Sequence, residues 1–75
     1  MKIYIGQILR YNGGDEHEQQ WAIGSCIKIT EYHGMEDSHP FEAVHVDNKN
    51  IDNHSAGRFS EDYLQKYYTE VEVLV

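Results

Sequence analysis

Cys26 is the only cysteine, so no disulfide can close within the chain. A small chain without crosslinks suits a reducing compartment, which gives the cytoplasm as the expected location. Proline is equally scarce. Pro40 stands alone, which excludes a proline-rich linker or a polyproline II tract. No apolar run approaches the roughly 20 residues that a helix needs to cross a bilayer. The opening stretch MKIYIGQILRYNGG is broken by Gly6, Gln7 and Arg10 and lacks a small-residue cleavage site. It reads as part of the fold rather than as a leader. Basic residues are few, 6 against 13 acidic ones, for a formal charge of −7. Nucleic-acid affinity comes mostly from Lys and Arg neutralising phosphate, so direct nucleic-acid binding is not expected. Anionic membranes are disfavoured for the same reason. A protein partner with a basic surface is the better match, against the plainer reading of a merely soluble acidic surface.

What is present is enough to fold. Hydrophobic residues make up 40% of the 75 positions and aromatics 12%, too apolar for a disordered tail. One domain spanning 1–75 is expected, held by a thin core. Loops are marked at Asn12–Asp15, His33–Pro40 and Asp47–Gly57 by Gly, Asn and Asp. Strand-like alternation lies between them. Ile3, Ile5, Leu9 and Tyr11 share a face, with Gln7 the polar exception. Trp21, Ile23, Ile27 and Ile29 share a second. Val44 and Val46 form a third, and Val71, Val73 and Val75 a last. Gly6 and Gly24 fall inside these runs, where glycine commonly marks a bulge or bend. Residues 56–59 supply a further short strand. SEDYLQKYY, residues 60–68, reads differently. Ser60 is a capping residue, Glu61 and Asp62 suit a first turn, and Tyr63, Leu64, Tyr67 and Tyr68 form one helical stripe.

The expected architecture is therefore mainly β: a small five-stranded, partly open barrel with one short helix near residues 60–68. An α+β sheet with one packed helix is the alternative. IGQILRY, WAIGSCIKITEY, FEAVHV and RFSEDYL together resemble small SH3-like barrels in their pattern of turns and alternation. SEDYLQKYY departs from that pattern, being longer than the single turn such barrels usually carry. The resemblance implies a non-catalytic binding module with a groove between the loops after the first and second strands. In size and acidity the chain also resembles accessory proteins of phages, prophages and other mobile elements. That likeness implies an inhibitor of a host nucleic-acid-handling or defence protein, acting in the cytoplasm of a bacterial host.

No motif carries catalysis. Cys26 lies opposite Ile27 and Ile29 with no nucleophile signature around it, and Gly13-Gly14 is followed by Asp15 and Glu16 rather than by a phosphate-binding lysine. The order of Asp47, Asn48, Asn50, Asp52 and Asn53 is not that of a calcium loop. Four of the five histidines, His33, His39, His45 and His54, fall within residues 32–54. None forms the short-spaced ligand pair of a zinc site, so no metal, cofactor or enzyme is expected. Two surfaces remain. One is acidic: Asp15, Glu16 and Glu18, then Glu36, Asp37 and Glu42, then Glu61 and Asp62. The other is aromatic. Trp21, Tyr11 and Tyr63 are expected to fill the core, leaving Tyr32 and at least one of Tyr67 and Tyr68 exposed, because adjacent tyrosines cannot both point inward. The expected partner-binding set is Asp15, Glu16, Glu18, Tyr32, Glu36, Asp37, Glu61, Asp62 and Tyr67, where tyrosine combines large area with a polar tip. A structural subunit of a homo-oligomer and a nucleic-acid accessory protein are the competing readings.

Overall fold

The computed structural model describes residues 1–14, 23–46 and 55–71. The chain folds as β1 (Ile8–Tyr11), β2 (Cys26–Tyr32), β3 (Phe41–Val46), β4 (Ser55–Phe59), α1 (Glu61–Tyr67) and β5 (Tyr68–Glu70). The five strands form one antiparallel sheet in the order β4-β3-β2-β1-β5. The expected mainly β make-up with one short helix is present. The sheet is open, with β4 and β5 at its two edges, and does not close into a barrel. Among the described residues no helix is long and apolar enough to cross a membrane.

The core lies on one face of this sheet. Leu9 and Tyr11 of β1, Ile27 and Ile29 of β2, Phe41 and Ala43 of β3, and Ala56 and Phe59 of β4 are buried together with Ile3, Leu64 and Tyr68. Full burial of a Leu or Ile is worth about 1.5–3 kcal/mol, so Leu9, Ile27, Ile29 and Leu64 anchor the assembly. Helix α1 packs Leu64 onto this face. Ser60 caps it, its hydroxyl accepting the Tyr63 N–H at 3.2 Å, with Glu61 and Asp62 in the first turn and Lys66 in the last.

Several expected faces are corrected. Ile5 and Ile23 are 61% and 75% exposed. Each precedes a glycine with positive φ, Gly6 (92°) or Gly24 (96°), which turns the chain and breaks the alternation. Those glycines therefore sit in turns before β1 and β2, not inside strands. The polar exception Gln7 is buried at 1% exposure. Its Oε1 accepts the Tyr4 N–H at 3.0 Å and its Nε2 donates to the Lys2 carbonyl at 2.9 Å. Val44 and Val46 lie on the face away from the core. The Ile29↔Ala43 register puts Phe41 and Ala43 on the side of the β2 isoleucines instead. The last strand starts earlier than the valine alternation suggests, at Tyr68. Val71 N–H extends its ladder to the Ile8 carbonyl at 2.9 Å. Trp21 and residues 72–75 lie outside the described residues.

Two irregularities shape the sheet. In β2 the register runs Ile29↔Ala43 and then Glu31↔Glu42, so Thr30 has no cross-strand partner. In β4 it runs Ala43↔Gly57 and then Val44↔Ser55, so Ala56 is the extra residue. An inserted residue of this kind bends a strand and re-aims the side chains beyond it.

Candidate partner-binding surface

The re-aiming in β2 builds the surface. Without the extra Thr30, strand alternation would put Tyr32 on the outer face and Glu31 on the core face. With it, Tyr32 pairs with Phe41 and its ring lies 5.0 Å from the Phe41 ring. Phe41 is in turn the cross-strand partner of Phe59. The Phe59 ring stacks on Tyr63 at 5.8 Å and 27°, and Tyr63 meets Tyr67 at 4.8 Å. One aromatic row thus runs from Tyr32 to Tyr67 across three strands and the helix. Its middle, Phe41 and Phe59, is buried. Its ends, Tyr32 and the Tyr63–Tyr67 pair, reach the surface.

The expectation for the tyrosines is met at Tyr32, 44% exposed, and at the adjacent pair, where Tyr68 is buried and Tyr67 is partly exposed. Tyr11 is buried as expected. Tyr63 packs against the core but remains only partly buried, because i, i+4 spacing puts it beside Tyr67 on the rim of α1. Lys66 holds its ammonium 5.4 Å from the centre of the Tyr67 ring, so a face of that ring accepts a cation.

A polar rim borders the row. A half-open cleft is lined by His39, Arg58, Phe59, Ser60 and Tyr63. Arg58 Nε donates to the His39 carbonyl at 3.0 Å and its Nη2 donates to Asp37 Oδ2. Asp37 Oδ1 accepts the His39 N–H at 2.9 Å. That backbone bond, together with the Arg58 charge, holds the Asp37 carboxyl below its ordinary value despite some desolvation. Loop 33–40 is thereby strapped to β4. Asp37 is consequently engaged within the chain, whereas Glu36, Glu61 and Asp62 are exposed. Asp15, Glu16 and Glu18 lie outside the described residues. The end of β1 runs close to Tyr67: Asn12 N–H donates to the Tyr67 carbonyl at 2.8 Å, and a side chain at Gly14 would meet the Tyr67 ring at 3.8 Å.

The spacing of residues along the chain did not single out Glu31, His33 and Glu42, which the sheet gathers on its outer face. Glu31 and Glu42 are direct cross-strand partners. His33 Nε2 lies 2.8 Å from Glu42 Oε1 and 3.5 Å from Glu31 Oε2. His33 follows directly on the end of β2, two residues after Glu31, and Glu42 joins them only through the register.

Fold and surface together define a small antiparallel β domain with an aromatic strip and a polar rim. No protein-family model matches the chain, and neither a curated protein nor a solved structure matches it at a significant level.

Proposed function

We propose that the chain is a small, acidic, non-catalytic protein-binding module with an SH3-like arrangement of strands. The observation that supports this reading is the aromatic row whose two ends, Tyr32 and Tyr63–Tyr67, reach the surface of a chain of formal charge −7. Exposed tyrosines give contact area at low entropic cost, and an acidic surface favours a partner bearing Arg or Lys. The partner-binding set is Tyr32, Tyr67, Glu36, Glu61 and Asp62, together with Asp15, Glu16 and Glu18. Asp37 acts by holding loop 33–40 in place. In this reading the partner is a basic surface of a nucleic-acid-handling or defence protein. The chain acts as its inhibitor in the bacterial cytoplasm, encoded by a phage or other mobile element.

The test is capture of partners from extract of the native cell, washed at low and high salt, with the wild-type chain beside two variants. One is Tyr67→Ala. The other combines Asp15→Lys, Glu16→Lys and Glu18→Lys. One stoichiometric protein, released by high salt and lost with both variants while circular dichroism shows each variant folded at the assay temperature, is the expected result. Equal capture by all three chains overturns the assignment of the surface.

A second reading, a structural subunit of a homo-oligomer, is favoured by the two edge strands. Among the described residues β4 and β5 each have one ladder only. Recovery of the chain alone, as a defined oligomer, selects that reading.

A further inference from the structure

The geometry points to a divalent transition-metal site formed by Glu31, His33 and Glu42, with Zn2+ as the fitting ion. One ligand atom from each of these residues lies within 4.8 Å of the others. Two ligands held 2.0–2.1 Å from one tetrahedral ion are separated by about 3.3 Å. The 2.8 and 3.5 Å separations from His33 Nε2 to the two carboxylates bracket that value. Small side-chain rotations therefore suffice to close the set around an ion.

The backbone beneath the site is already fixed. Glu31 and Glu42 are held opposite one another by the β2–β3 ladder. His33 N–H donates to the Pro40 carbonyl at 2.8 Å, and Thr30 Oγ1 donates to the Glu42 carbonyl at 3.2 Å. Binding therefore has side chains to order but no backbone to rearrange.

Charge supports the same conclusion. Like charges directly opposite across a ladder are destabilising. Arg58 is the β4 residue in register with Glu42, yet its guanidinium is directed to Asp37 and the His39 carbonyl. A divalent ion would neutralise both carboxylates at once. An imidazole in the set favours zinc and its transition-metal neighbours over Ca2+ and Mg2+, which prefer all-oxygen shells. Glu31 is exposed and Glu42 half-buried, which leaves one coordination position open to water. The site lies on the outer face of the sheet and stands whether or not the aromatic row binds a partner.

The experiment uses the untagged full chain, stripped with chelator and titrated with Zn2+ while the histidine ring nitrogens are followed by NMR. The expected result is one equivalent bound, with the largest shift at His33 Nε2 and smaller or no shifts at His39 and His45. His33→Gln and Glu42→Gln should each raise the dissociation constant by about tenfold or more. His39→Gln should leave it unchanged. Circular dichroism of each apo variant confirms that the fold is retained. Zn2+ shifting another histidine ahead of His33, unchanged affinity in the folded His33→Gln variant, or no saturable binding overturns the site.

Discussion

The side-chain carbonyl of buried Gln7 accepts the backbone N–H of Tyr4 at 3.0 Å, so a polar residue on the core face closes the N-terminal turn from within. Its amide also donates to the Lys2 carbonyl. Replacing Gln7→Leu keeps volume and adds apolar surface, but it strips both backbone groups of their partner. Leaving a buried polar group unsatisfied costs about 1–3 kcal/mol. Urea unfolding should show a lower midpoint with an unchanged slope. A midpoint at or above wild type would mean that water replaces both bonds.

Gly57 has φ of 106° where β4 shifts register against β3. A Cβ placed there meets nothing within 4 Å, so space is not the constraint. The backbone conformation is, and L-residues reach it only with strain of about 1–3 kcal/mol. Gly57→Ala should therefore destabilise the domain by that order, with D-Ala at the same position largely neutral. Equal thermal midpoints for the L-Ala and D-Ala chains would refute a backbone origin.

Ser60 accepts the Tyr63 N–H at the start of a helix of only 7 residues. Such a helix has little stability of its own. Ser60→Ala should cost about 1 kcal/mol, and Ser60→Asp should restore it. Hydrogen exchange at Leu64 and Gln65 should accelerate in the alanine variant before exchange in β2 does. Uniform acceleration throughout would show that the helix does not open separately.

Asp37 gives the pH dependence. Its folded carboxyl is held below the ordinary 3.8 by the His39 N–H and by Arg58. A depressed carboxylate contributes stability that is present above the unfolded value and is lost as pH falls through the folded one. Stability should therefore fall below about pH 4, and Asp37→Asn should flatten that part of the curve while lowering the plateau at neutral pH. An unaltered acid limb in Asp37→Asn would show that the strap contributes nothing to acid stability.

The alternation at Leu9, Tyr11, Ile27 and Ile29 and the SEDYLQKYY stripe were legible as strands and helix because each is a local periodicity. Val44 and Val46 misled, because FEAVHV carries apolar residues on both faces and only its partner decides which face is buried. The acidity, the lack of crosslinks and the types of the elements were determined by the sequence alone, since they depend on composition and nearest neighbours. The tertiary structure alone decided the rest. The extra Thr30 turns Tyr32 toward Phe41 and Glu31 toward Glu42. It thereby creates both the aromatic row and the Glu31–His33–Glu42 cluster. Strand side chains alternate with period two, so one unpaired residue reverses every face beyond it, and pairing between distant segments sets where that residue falls.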